Sequence, residues 1–373
     1  MPRKTPRILG GVFPIIGGAM KKYLPIAGAM LAAAATHAHA QSSITLYGVA
    51  DIGIEYLNHV PDATRQGEDL FRMTSGNIAG SRWGMRGVED LGGGLKGVFV
   101  LEGGMVLDSG MASQGGRLFG RKAYVGLDSG TFGQFTMGRH HNLMFDLIIT
   151  YDPMYFAPKY SAFSHDTWLA GRVDNAAKYT GKFGGLTIAG LYSFGVDSTV
   201  PNGSEVPGNS RVGRDMSAGF SYQAGKFRFG GVYDQLNGNS AAKAGLTERR
   251  YVGAASVEVG PVTAYLGYRR LVSQLVTSMT RTDLMWAGAN WSLAPSFALT
   301  AAVYKTNDRT SPKDPISFVL SADYRLSKRT DAYVTASYTK NKGGSALGAN
   351  GYDGSVIPGA NQIGAVIGMR HNF

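Results

Sequence analysis

The stretch Ile44-Thr45-Leu46-Tyr47-Gly48-Val49-Ala50-Asp51-Ile52-Gly53-Ile54-Glu55-Tyr56 decides how the rest of the chain is read. In an extended strand successive side chains point to opposite faces. Ile44, Leu46, Gly48, Ala50, Ile52, Ile54 and Tyr56 therefore share one face, with Thr45, Tyr47, Asp51 and Glu55 on the other. One face suits hydrocarbon, the other water. A helix would scatter both sets around its axis.

The same alternation recurs along the chain. Leu95, Gly97, Phe99 and Leu101 oppose Lys96 and Glu102; Phe227, Phe229, Gly231 and Tyr233 oppose Lys226, Arg228 and Asp234; Ala332, Val334, Ala336 and Tyr338 oppose Asp331, Thr335 and Ser337. No apolar run after residue 40 is long enough for a membrane-spanning helix, which needs about 20 residues. A chain that crosses a bilayer with strands must close them into a barrel, because backbone groups facing lipid have no water to bond. Short turns then alternate with long loops. The turns fall at Leu91-Gly92-Gly93-Gly94, Ser129-Gly130-Thr131, Phe183-Gly184-Gly185, Ala224-Gly225, Gly260-Pro261, Ala294-Pro295-Ser296 and Ser327-Lys328-Arg329-Thr330. The loops span 58–78, 108–116, 142–170, 198–213, 238–247, 274–280, 308–314 and 342–359. Together they join sixteen strands. A barrel of that size leaves an aqueous channel, whereas eight strands enclose only their own side chains. A soluble sandwich or propeller does not need an aliphatic outer face on every strand.

Composition agrees. Only 17% of the 373 residues are charged, 53 are Gly, and Cys is absent, as suits an exported chain. Residues 1–40 read as a targeting segment: Lys21 and Lys22 precede an apolar stretch from Leu24 to Ala35, and Ala38-His39-Ala40 offers the small residues of a cleavage site. Residues 1–19 read as an extra leader or as the product of a start placed too early, with Met20 the candidate start, and the mature chain 41–373 is expected to form a single barrel domain. Removing the five Lys and Arg of residues 1–40 lowers the net charge from +11 to +6. The remaining basic residues are spread along strands, which argues against nucleic acid as a partner.

Five segments in order, Ser43-Ile44-Thr45-Leu46-Tyr47-Gly48, Ser81-Arg82-Trp83-Gly84-Met85-Arg86-Gly87, Glu89-Asp90-Leu91-Gly92-Gly93-Gly94-Leu95, Arg121-Lys122-Ala123-Tyr124-Val125-Gly126-Leu127 and Gly368-Met369-Arg370-His371-Asn372-Phe373, carry a resemblance. The chain resembles a Gram-negative general porin, and most of all the beta-proteobacterial outer-membrane porins. The resemblance implies an all-β, 16-stranded antiparallel transmembrane β-barrel with long external loops, short periplasmic turns and an inward-folded third loop. It also implies a homotrimer in the outer membrane, against lipid and lipopolysaccharide, passing small hydrophilic solutes and ions. The terminal Phe373 is similar to the family's assembly signal.

In that family the third loop narrows the barrel opposite a ladder of wall arginines. The loop here is 142–170, with acids Asp146, Asp152 and Asp166. Arg82, Arg121 and Arg172 match the wall arginines by motif context, and Glu102 matches an acid beside them. The family's Pro-Glu-Phe-Gly loop tip is replaced by Tyr151-Asp152-Pro153-Met154-Tyr155-Phe156. The residues read alone agree in part. Arg82 and Arg86 lie opposite Trp83 and Met85, and an arginine facing mid-bilayer costs about 2–4 kcal/mol, so both are expected in the lumen. Arg117 shares the parity of Arg121 and extends the ladder outward. Facing carboxylates across a narrow pore, such arginines would set up a transverse field. Each could instead be a solvated wall residue or a brace for the loop. Lys122 shares the parity of Tyr124, leaving either a bulge or an exception to the lipid-facing rule.

Other chemistry is poorly represented. His140 and His141 are adjacent on a strand, so alternation sends them to opposite faces, and with no Cys a metal site is not indicated. No Gly-x-Ser-x-Gly elbow is present, Gly92-Gly93-Gly94 lacks the Lys-Ser/Thr of a phosphate loop, and no enzyme is expected. No cofactor is called for; a calcium site has no support beyond scattered acids. Three functions stay open: a diffusion pore with weak anion preference, a solute-specific channel permitted by the altered loop tip, and an adhesive or structural barrel.

Overall fold

The computed structural model describes residues 43–62, 67–196, 205–276, 278–351 and 355–373. The expected targeting segment, residues 1–40, lies outside them, as do parts of the loops 58–78, 198–213, 274–280 and 342–359. Alternation in the first strand is realised: Ile44, Leu46 and Ile54 are 55–70% exposed on the outer face, while Asp51 and Glu55 are fully buried on the inner one.

Among the described residues sixteen wall strands close into one antiparallel barrel. They are β1 (Ser43–Pro61), β2 in two pieces (Gly67–Ser75 and Arg82–Gly92), β3 (Leu95–Val106), β4 (Lys122–Ser129), β5 (Gly133–His141), β6 (Arg172–Phe183), β7 (Leu186–Ser193) and β8 (Asp215–Ala224). They continue with β9 (Phe227–Asn237), β10 (Thr247–Val259), β11 (Val262–Ser273), β12 (Thr280–Ala294), β13 (Phe297–Asp308), β14 (Ile316–Arg325), β15 (Thr330–Lys340) and β16 (Gln362–Asn372). Each pairs with its sequence neighbour, and β1 closes on β16 in a register running from Val49 opposite Asn372 to Leu57 opposite Gly364. Connections at one end are tight. Gly93 and Gly94 both take positive φ between β2 and β3, a conformation that glycine adopts without steric cost.

One expected loop is mostly strand. Residues 58–78 are polar in composition, yet Gly67–Ser75 pairs back onto β1 from Pro61 opposite Gly67 to Ile52 opposite Ser75. Phe71 and Met73 point outward while Arg72 turns in to meet Glu55 at 2.7 Å, so the segment carries its own two-residue period. The second piece of β2 pairs with the start of β1, from Val49 opposite Arg82 to Ser43 opposite Val88. Between the pieces, residues 76–81 leave the sheet. Asp51 holds them, its carboxylate accepting the N–H groups of Ile78 at 2.9 Å and Ala79 at 2.6 Å.

The connection from β5 to β6 folds into the lumen. Asn142 caps the helix α1 (Leu143–Ile148), its side chain accepting from the Phe145 N–H at 3.0 Å. Leu143, Met144, Leu147 and Ile148 are buried and share one apolar cluster with Leu191, Val232 and Val252 of the wall. The loop then runs to a tip at Asp152–Phe156. It is tied to the opposite wall where the Tyr160 hydroxyl donates to Glu55 at 2.7 Å and the Trp286 indole donates to the Tyr151 carbonyl at 3.0 Å.

Candidate functional site

Where α1 and the tip approach β2, β3 and β4, the lumen narrows to a cavity of about 380 Å³. Three of the expected arginines, Arg82, Arg121 and Arg172, line it together with Glu102. Glu102 is 4% exposed and is the hub of the group. Arg121 Nε donates to its Oε1 at 2.7 Å, the Tyr47 hydroxyl donates to its Oε2 at 2.9 Å, and Arg82 Nε lies 3.9 Å from Oε2. Arg82 also donates to the Gly80 carbonyl at 2.8 Å, so the interruption in β2 helps aim its guanidinium. Charge-assisted bonds of this kind fix geometry as well as energy.

Two further cations complete the lining, Lys122 and Arg370. The puzzle at Lys122 disappears because Tyr124, whose aromatic ring suggests lipid, points inward and stacks on His140 with ring centroids 4.5 Å apart. Val125 and Leu127 face out in its place, 60% and 47% exposed. Within β4 the alternation therefore runs with Lys122 and Tyr124 inward, and Arg121, which stands just before the strand, turns into the lumen as well. His140 and His141 are both enclosed: His140 stacks on Tyr124, while His141 lies against Phe145 of α1 with ring centroids 3.9 Å apart and borders the cavity.

The remaining expected residues lie elsewhere. Arg86 is luminal but stands toward the short-turn end, its guanidinium 5.7 Å from the Tyr47 ring centroid. Arg117 belongs to a second cavity of about 390 Å³, where it lies 3.2 Å from Asp174 beside Arg139 and Trp168; Arg172 borders both spaces. Asp146 sits on the exposed side of α1 and bonds Lys178 at 2.8 Å. Asp152, expected to face the arginines across the lumen, is fully buried. It accepts the Tyr304 hydroxyl at 2.6 Å and the Phe156 N–H at 2.8 Å, and burial pushes its pKa up to about 6 against those bonds. Asp166 is likewise turned to the wall. Burial opposes its charge, but Arg250 and Arg269 hold its pKa down at about 2. Arg250 reaches it at 2.9 Å and Arg269 at 2.8 Å.

These two arginines escaped the sequence reading. They occur in Arg249-Arg250 and Arg269-Arg270, where alternation sends one of each pair inward without saying which. The inward parity of Tyr265, Gly267 and Arg269 was the available signal. Among the described residues no group of three or more His, Cys, Asp or Glu is gathered to hold a metal.

A closed barrel with an apolar outer face, narrowed by an infolded loop beneath a cation-rich wall, is the architecture of a membrane pore. Residues 27–344 match the Gram-negative porin family, and the chain belongs to it. It is 32% identical to outer membrane porin protein 32 of Delftia acidovorans and 30% identical to an outer membrane porin protein of Bordetella pertussis, each over 95% of this chain and all of the relative. Among solved structures it is similar to the anion-selective porin from Comamonas acidovorans, with a TM-score of 0.74 and 26% identity over 89% of this chain and all of that one. The protein is an outer-membrane porin.

Proposed function

We propose that the narrowing under the third loop sets a weak anion preference for passive diffusion, and that Arg82, Arg121 and Arg172 are its principal determinants. One observation carries this reading: the lining holds five cations, Arg82, Arg121, Lys122, Arg172 and Arg370, against the single carboxylate of Glu102. A one-signed lining with low-dielectric walls raises the local concentration of the opposite ion. The similar porin from Comamonas acidovorans is anion-selective, which is in keeping with that preference. Arg117 and Arg86 extend the positive wall on either side, while Asp146 and Asp152 shape the loop. Export by a signal peptide ending at Ala40, homotrimeric assembly, contact with lipopolysaccharide and the absence of catalysis belong to the same reading, supported by family membership. No bound cofactor takes part.

The test is the reversal potential in a potassium chloride gradient across a planar bilayer, for the parent and for Arg121→Ala. The parent is expected on the anion side and the variant closer to zero. A parent on the cation side would overturn the reading.

A further inference from the structure

Resting on that anion-pore reading, we propose that the narrowing selects, among carboxylates, those that carry a single aromatic ring. The two sides of the cavity are chemically unlike. The barrel side presents the guanidinium and ammonium groups of Arg82, Arg121, Lys122 and Arg172. The loop side presents Phe145, Ile149, Tyr155 and Phe163, and no loop carboxylate lines it, because Asp146 is held by Lys178, Asp152 by Tyr304, and Asp166 by Arg250 and Arg269. Cations therefore face aromatic and aliphatic surface.

That pairing favours a solute with an anionic head and a flat apolar body. A guanidinium fork matches a carboxylate, while a ring lying against Phe145, Tyr155 or Phe163 gains offset or edge contact that an alkyl stub of the same charge does not. Tyr155 is 50% exposed and held at a φ of 53°, a left-handed backbone that costs of order 1–3 kcal/mol for a residue with a side chain. The loop thus keeps the Tyr155 ring on the cavity lining, its side chain bonded to Tyr265, at some cost in stability. Space is adequate: a void of about 150 Å³ accepts benzene, and the cavity offers about 380 Å³ with an open end for passage.

The experiment reads block of chloride current in planar bilayers by potassium benzoate, potassium acetate and potassium cyclohexanecarboxylate. Benzoate is expected to block saturably at about ten-fold lower concentration than acetate, the factor equivalent to one ring contact. Phe145→Leu and Phe163→Leu, which keep apolar bulk and so preserve the fold, are expected to lower that ratio. Equal block by benzoate and acetate overturns the inference, as does a ratio unchanged in both leucine variants. Cyclohexanecarboxylate matching benzoate also overturns it, since bulk alone would then account for the effect. Failure of the pore reading shows separately, as absent conductance or a cation-side reversal potential in potassium chloride before any organic anion is added.

Discussion

Replacing Asp166 by alanine should loosen the third loop from the wall. Its carboxylate is 6% exposed and pairs with Arg250 at 2.9 Å and Arg269 at 2.8 Å, the two arginine side chains being 6% and 2% exposed. It also caps the last turn of the loop by accepting the Trp168 N–H at 3.1 Å. Removing one partner of a buried pair leaves an uncompensated charge and costs about 3–5 kcal/mol. Arg250 keeps Glu248 at 2.6 Å and Arg269 keeps the Thr282 carbonyl at 2.9 Å, which points to the lower end of that range. At about 3 kcal/mol the population of detached loop rises by roughly a hundred-fold, since each 1.4 kcal/mol is a factor of ten. Limited proteolysis between residues 142 and 171 of the bilayer- or detergent-folded protein should accelerate accordingly, and single-channel current should become noisier. Asp146→Ala, which removes only a pair at the exposed side of α1, should cost about 0–1 kcal/mol and leave both readings near the parent. Equal proteolysis in the two variants would refute the assignment of Asp166 as the anchor.

Gly267→Ala would drive a methyl group into the Trp286 indole, which must then shift from its bond to Tyr151. Overpacking of this kind costs about 1–3 kcal/mol, so a lower thermal midpoint with altered conductance is expected. His165 bonds the Thr306 and Ser317 hydroxyls, and burial, aided by Arg269, lowers its pKa to about 3 from 6.5. The unfolded chain takes up that proton first, so His165 contributes stability above pH 6.5 that is lost as pH falls toward 3. His165→Gln should therefore gain on the parent in thermal midpoint through that window. Asp152 has the opposite sign: with its pKa raised to about 6 from 3.8, its ionisation costs stability above pH 6, and the cost fades as pH falls to 3.8. Asp152→Asn should lose ground to the parent as the buffer is acidified across that interval.

The outer face of the barrel was legible because lipid asks one thing of every position that meets it. Ile44, Ile54, Phe229 and Val334 were placed by alternation alone, and the strand count followed from the turns. The inner face was harder, since it serves water in some places and a packed loop in others. Val232 and Val252 point inward against Leu143, Leu147 and Ile148, so an apolar residue there does not mean lipid. The same ambiguity inverted Tyr124. At the opening, motif context located Arg82, Arg121, Arg172 and Glu102. It did not show which way the loop acids turn, because that depends on Tyr304, Arg250 and Arg269 from strands far along the chain.

The seam between β1 and β16 gives assembly a late step that no local segment can complete. Gly48 and Phe373 exchange backbone bonds at 2.9 and 3.1 Å, and Asn58 receives the Ile363 N–H across 305 residues of sequence. Contacts of such high sequence separation pay their loop-closure entropy before any of their bonds form, which makes them slow. Until that step both terminal strands remain open edges, ready to pair with another chain. Closure of the cylinder thus marks the moment at which the polypeptide stops being an aggregation hazard and becomes a sealed wall.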